Sequence, residues 1–188
     1  MAKRAIKAVT ATLPVKLDLG CGVRKQPGFT GVDVLKLEGV DLVHDLTKPW
    51  PWKDESVDEV NCSHFLEHLH PKERIHFANE LYRVLRKGAK ATIVTPYMGH
   101  DAAYGDPTHV WPPISGWTYL YWNKEWRKKE APHSDSEHVP GMLACDFDYT
   151  IGGSWDAWLQ TRNMEYRIFA MQHYLNGQRD VIATLTRR

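Results

Sequence analysis

Leu17-Asp18-Leu19-Gly20-Cys21-Gly22 places one acid inside a short apolar run and closes that run with two glycines. Residues 15–19 read as a buried strand, and the glycines supply a turn in which the backbone can pass close to a ligand. Working outward, residues 29–35 and 40–46 are two more runs of strand length. They carry Asp33 in Gly31-Val32-Asp33-Val34 and Asp45 in Val43-His44-Asp45-Leu46 at their ends. Pro49-Trp50-Pro51-Trp52 cannot be helix interior, and residues 57–62 give the next strand. A helix is expected from Pro71, with Glu73 in its first turn and Ile75, Ala78, Leu81, Tyr82 and Leu85 along one face. Arg83, Arg86 and Lys87 suit its C-terminus, Gly88 its stop, and residues 91–94 form a fifth strand. This order predicts an open α/β sheet of Rossmann-like type, with its ligand site at the carboxyl edge, where Gly20-Cys21-Gly22, Asp33 and Asp45 all end strands.

Periodicity fails from residue 98 to about 165, where prolines break the chain into loops and short pieces. Two β-rich runs, 166–175 and 179–186, flank Asn176-Gly177-Gln178 and predict an antiparallel C-terminal hairpin on a mostly parallel sheet. The expected organisation is a single domain: a leader over 1–14, a ligand-binding core over 15–97, a long aromatic insertion over 98–165 and the closing hairpin over 166–188.

A chain of 188 residues with 43% hydrophobic and 25% charged composition fits one folded unit and excludes disorder or a disulfide mini-scaffold. No apolar stretch approaches a membrane span and no secretory h-region opens the chain, so a cytoplasmic location away from membranes is expected. Cys21, Cys62 and Cys145 form no C-x-x-C pair, which argues against thiolate zinc. Net charge is +1, but it is unevenly spread: the 98–165 segment carries five basic and ten acidic residues together with six of the eight tryptophans. An acidic, aromatic cover disfavours nucleic acid as a partner. It suits a neutral, planar or cationic small molecule.

A dinucleotide fingerprint is not met, because Lys25 stands at its third glycine and Pro27 follows. The motifs together resemble the class I S-adenosylmethionine-dependent methyltransferases, specifically their type 11 methyltransferase domain. L-D-L-G-C-G, G-V-D-V and H-D-L look like the family's first three motifs. S-V-D-E-V-N-C-S-H-F-L-E-H-L resembles its fourth-strand signature, and L-Y-R-V-L-R-K-G-A-K-A-T-I-V-T-P its helix and fifth strand. Two departures stand out: Arg24 replaces the third glycine of G-x-G-x-G, and the first helix is reduced to residues 23–28. The resemblance implies S-adenosylmethionine as cofactor. Asp18, Gly20, Cys21 and Gly22 would shape the methionine end, Asp33 with Val34 would hold the ribose, and Asp45 would hold the adenine amino group with Leu46 packed on the ring. Cys62, Ser63 and His64 would face the sulfonium and the substrate.

His64 ends the fourth strand and is a candidate general base. His64-Phe65-Leu66-Glu67-His68 is not the H-E-x-x-H zinc order, so no metal is expected, and Glu67-His68 resembles a pair that braces the cofactor pocket. Gly105-Asp106-Pro107-Thr108-His109 leaves two readings open: Asp106 and His109 as an acid–base pair over the methyl group, or an Asp-Pro turn beside a packed histidine. The expected function is in-line methyl transfer to a small-molecule acceptor. The alternatives are a cofactor-binding protein without catalysis, whose aromatic segment is a homo-dimer or partner interface, and a methyltransferase acting on RNA or protein.

Overall fold

The computed structural model describes residues 13–188, so the leader expected over 1–14 lies outside the described residues as far as residue 12. Strands β1 (Lys16–Leu19), β2 (Thr30–Asp33), β3 (Leu42–Val43), β4 (Val57–Ser63) and β5 (Leu85–Pro96) run parallel, in the spatial order β3-β2-β1-β4-β5. Two later strands, β6 (Phe147–Trp155) and β7 (Gln178–Arg187), extend the sheet beyond β5. β7 pairs antiparallel with β5 on one side and with β6 on the other. The result is the mostly parallel α/β sheet with antiparallel C-terminal strands that the sequence predicts. Among the described residues no helix is long and apolar enough to cross a membrane.

The buried strands are apolar for a physical reason: with both faces covered, a parallel sheet has no polar side to show. Leu17, Leu19, Val32, Val57, Val60 and Ile93 are all buried. Helix α1 (Pro71–Val84) crosses from β4 to β5 and buries Phe77, Ala78, Leu81 and Val84 against the sheet. Its Glu73 accepts the His70 backbone N–H at 2.8 Å, satisfying one of the donors a helix start leaves free. The outer face of α1 anchors the Pro-Trp segment. Glu80 accepts the Trp50 N–H at 2.7 Å and pairs with Arg83, whose guanidinium donates to the Trp50 and Trp52 carbonyls.

Between β1 and β2 there is no helix, only turns, and the few helical residues expected over 23–28 are absent. Side-chain carboxylates take over the role of helical hydrogen bonds. Asp18 accepts from Gln26 N at 2.6 Å, Asp33 from Gly22 N at 2.9 Å, and Asp41 from both Gly31 N and Lys25 Nζ at 2.8 Å.

The expected strand over 166–175 is instead helix α6, Met164–His173, the last of five helices that follow α1. The Asn163 side chain caps it by accepting from Tyr166 N at 2.9 Å, and Met164, Ile168 and Met171 recur at helical spacing along one groove. Its β-branched and aromatic residues gave a strand-like composition that capping and packing override. The first strand of the antiparallel pair is therefore β6, drawn from the segment read as irregular. That segment also holds α2 (Gly116–Leu120), α3 (Lys124–Glu130), α4 (Asp135–His138) and α5 (Ala157–Gln160). α1 stops at Val84, short of Gly88, because Leu85 already pairs with Val57 in the sheet.

Part of the expected aromatic cover is core. Tyr119 and Trp122 are 0% and 3% exposed, stack edge-on with each other and seat the insertion on Phe147, whereas Trp111 and Trp117 are 74% and 65% exposed. Trp122→Ala is expected to lower unfolding free energy by about 3–5 kcal/mol, against no more than about 0.5 kcal/mol for Trp111→Ala, as read by urea denaturation.

Glu80 gives a second prediction. The Arg83 hydrogen bond, followed by that from Trp50 N, holds its carboxyl below the ordinary value of 4.5. A carboxyl lowered by folding contributes stability above that value and loses it as pH falls through the folded value. Glu80→Gln should therefore cost about 1–2 kcal/mol at neutral pH and should flatten the acid limb of the stability curve. Parallel pH curves for the two proteins would contradict this.

Candidate active site

Gly20 and Gly22 turn the chain out of β1 with φ of +67° and +51°, the left-handed region in which a side chain is disfavoured. At Gly20 a Cβ would also run into the Phe65 ring, so the backbone there must remain bare. Behind the turn Asp18, 2% exposed, is fully engaged: Gln26 N donates to one oxygen and Asn61 Nδ2 to the other at 2.7 Å. Its role is to hold the loop shape.

A cavity of about 820 Å³ opens along the carboxyl ends of β1 and β4, lined by the 20–24 turn, Leu37, Asn61, Ser63 and His64. A second, of about 590 Å³, is walled by Pro96, Ala102, Asp106, His109 and Asp180. His64 and Arg179 line both, so the two cavities meet there.

The residues expected around a cofactor divide between wall, rim and core. Asp18, Gly20, Cys21, Gly22, Ser63 and His64 line the larger cavity. Asp33 stands beside it, its oxygens accepting from Gly22 N and Leu35 N, with one lone pair free on each. Val34 is 60% exposed at the same strand end. Asp45 accepts from Thr47 N and Thr47 Oγ1, and those bonds hold its carboxyl below the usual range. Two side chains do not reach the cavity. Cys62 is completely buried, because neighbours on a strand point to opposite faces and Asn61 and Ser63 take the cavity side. Leu46 is 3% exposed in the core, its carbonyl accepting from Trp50 Nε1, and Leu37 lines the groove in its place.

His64 has φ of +54°, a left-handed conformation costing a non-glycine residue about 1–3 kcal/mol and concentrated at functional sites. The turn is held by His64 N donating to Val94 O at 2.8 Å. The imidazole lies between acids, Nδ1 3.3 Å from Glu67 and Nε2 3.9 Å from Asp180. The Glu67 carboxylate is the main cause raising its pKa, so the site favours imidazolium.

Asp106 and His109 arrive from the insertion. Arg74, buried on α1, donates to the carbonyls of Val110 and Pro112 at 2.8 and 2.6 Å, while Val110 N donates to Glu67 O. This clamp docks the 106–112 segment on the 3-10 turn Leu66–His68. The turn reading of Asp106-Pro107-Thr108-His109 holds, with Asp106 accepting from Thr108 N and Oγ1, and Asp106 and His109, 3.9 Å apart, both stand in the wall of the second cavity. None of the tryptophans lines this second cavity, so the expected aromatic cover does not form its wall.

Sequence reasoning missed Arg179 and Asp180. They start a strand whose place beside β5 is set by topology, and only the preceding Asn176-Gly177 turn marks the spot. The Arg179 guanidinium has no hydrogen bond or ion pair among the described residues.

Residues 24–93 match the profile of a family described as a methyltransferase domain. No curated protein matches the chain in sequence. Among solved structures, an S-adenosylmethionine-dependent methyltransferase from Archaeoglobus fulgidus is 20% identical with a TM-score of 0.64, over 93% of this chain and 86% of that one. The putative methyltransferase of Haloferax volcanii, solved with the Trm112 activator, is 12% identical with a TM-score of 0.54, over 93% and 82%. The 1,6-didemethyltoxoflavin-N1-methyltransferase of Burkholderia thailandensis is 14% identical with a TM-score of 0.52, over 93% and 71%. At these identities the likeness is one of fold. The chain thus carries a match to the methyltransferase domain over residues 24–93, and its fold is that of the S-adenosylmethionine-dependent methyltransferases.

Proposed function

We propose that the chain transfers the methyl group of S-adenosylmethionine to a small-molecule acceptor bound in the 590 Å³ cavity beside the cofactor groove. The observation that carries this reading is the junction of the two cavities at His64 and Arg179, where a sulfonium bound in the first would face a nucleophile bound in the second. The volume suits a small ligand. The Burkholderia enzyme of the same fold was solved with 1,6-didemethyltoxoflavin and S-adenosylhomocysteine bound, which supports the class of acceptor. Every side chain the reading uses comes from one chain. The exposed Trp111 and Trp117, outside the cavity lining, are what a homo-dimer face would use.

In this reading the methionine end lies across Gly20-Cys21-Gly22. Arg24, where the family has glycine, lines the same cavity and supplies a charge for the methionine carboxylate. Asp33 takes the ribose hydroxyls with its free lone pairs, and the adenine extends past Leu37 toward Asp45. Transfer is an in-line displacement: the acceptor atom forms its bond to the methyl carbon as the carbon–sulfur bond breaks, leaving S-adenosylhomocysteine. Such a step needs an aligned nucleophile and an enclosed site more than proton chemistry. His64 and Arg179, which line both cavities, align the acceptor at the junction.

The activity test follows radiolabelled methyl from S-adenosylmethionine into small-molecule, RNA and protein fractions of a cell extract. Label in the small-molecule fraction supports the proposal, and label confined to RNA or protein overturns it. Asp33→Ala should weaken cofactor affinity by about 1.5–3 kcal/mol in calorimetry, and unchanged affinity in a folded variant would remove Asp33 from the ribose site. Ala102→Trp fills the second cavity. It should raise acceptor KM about tenfold or more while cofactor affinity holds, and equal loss of both would show that the acceptor does not bind there.

A further inference from the structure

The fold assembles a donor set that the sequence order does not display. Glu67 and His68 lie on the 3-10 turn after β4, and His109 is brought onto them by the Arg74 clamp. One donor atom from each of the three lies within 4.8 Å of the others. Donors about 2.0–2.2 Å from a common ion stand about 3–4 Å apart, so side-chain adjustments of about an ångström complete the set.

The Glu67 side chain makes the cluster more than a coincidence of polar residues. It is 95% buried, yet neither carboxylate oxygen has a hydrogen-bond partner. Arg74 lies beside it but directs its guanidinium to the backbone carbonyls of Pro112, Val110 and Glu67. Of the cations, only the His64 imidazole stands within ion-pair distance of it among the described residues, at 3.3 Å. A buried carboxylate with unfilled lone pairs is costly, and an additional cation removes that cost.

The imidazoles are arranged to serve the same centre. His68 Nδ1 is 2.9 Å from Thr108 Oγ1 and His109 Nδ1 is 3.3 Å from Ala103 O, which leaves Nε2 of each as the donor. A partner on the far nitrogen is how metal-bound histidines are fixed in tautomer and orientation. The rings meet edge-on with centroids 4.8 Å apart.

We propose that Glu67, His68 and His109 form a binding site for a divalent transition-metal ion in the wall of the second cavity. Two imidazoles and one carboxylate select zinc, cobalt or manganese over magnesium or calcium. Three protein donors leave coordination positions free. His109 lines the cavity, so those positions face it, and an oxygen or nitrogen of a bound molecule can occupy them. The H-E-x-x-H order that usually signals such a site is absent because the third donor comes from the insertion. The inference rests on the donor geometry and stands apart from the acceptor's identity.

The test is calorimetry on the full chain, stripped with a chelator and titrated with Zn2+, Mn2+ and Mg2+ separately. One Zn2+ per chain is expected, with weaker Mn2+ and no Mg2+ binding. Glu67→Gln and His109→Asn should each weaken Zn2+ binding by about tenfold or more, with His133→Asn on another loop as the unchanged control. Near-UV circular dichroism reports whether each variant is folded. Should Glu67→Gln fail to fold, His109→Asn decides alone. Absence of Zn2+ binding to the wild type, or equal binding by wild type and the folded variants, overturns the site.

Discussion

Backbone amides between β1 and β2 have no helix to satisfy them, and carboxylates do so instead. A turn of this kind must place each N–H against an acceptor or water. Asp18 reaches forward to Gln26 N and sideways to Asn61 on β4, Asp33 reaches back to Gly22 N, and Asp41 takes Gly31 N. The strand ends are therefore tied to one another by charged hydrogen bonds, individually stronger than neutral ones. Everything around the larger cavity depends on this lattice, including the bare Gly20 backbone against Phe65 and the register in which Asn61 and Ser63 face inward.

The site joins two electrostatic halves. Arg24 lines the larger cavity and Arg179 both, while Glu67, Asp106 and Asp180 gather acids around the second, with His64 at the junction. That imidazole sits on a strained residue just past β4 whose backbone N–H donates to Val94 O, and its ring lies between two carboxylates. The strain is sustained because β4 is paired on both sides, by β1 and β5.

The parallel half of the sheet was legible because it is buried on both faces and so reads as apolar runs punctuated by glycine, and the start of α1 because Pro71 and Glu73 mark it, although the face it buries is Phe77, Ala78, Leu81 and Val84 and not the stripe through Ile75 and Tyr82. The helix at Met164–His173 was hidden by aromatic and β-branched residues that composition assigns to strands, and β6 by a run too mixed to show alternation. The phase of β4 at its last residues decides that Cys62 faces the core and Asn61 the cavity, and a one-residue choice of phase is not written in an apolar run. The docking of His109 through Arg74, and the arrival of Arg179 and Asp180 beside His64, are tertiary events between segments far apart in sequence. Candidate residues on strand ends were readable, whereas those delivered by the insertion and the late strand were not.

β7 lies between β5 and β6 but follows both in the chain. During synthesis β5 emerges with one edge open, β6 has no neighbour in the sheet until β7 exists, and β7 must then insert between them in a single register. Non-local antiparallel pairing of this sort is slow and leaves edges exposed to other chains in the interval. Arg179 and Asp180 are carried on that final insertion, so a nascent chain that already possesses the complete glycine turn still lacks the junction between its cavities.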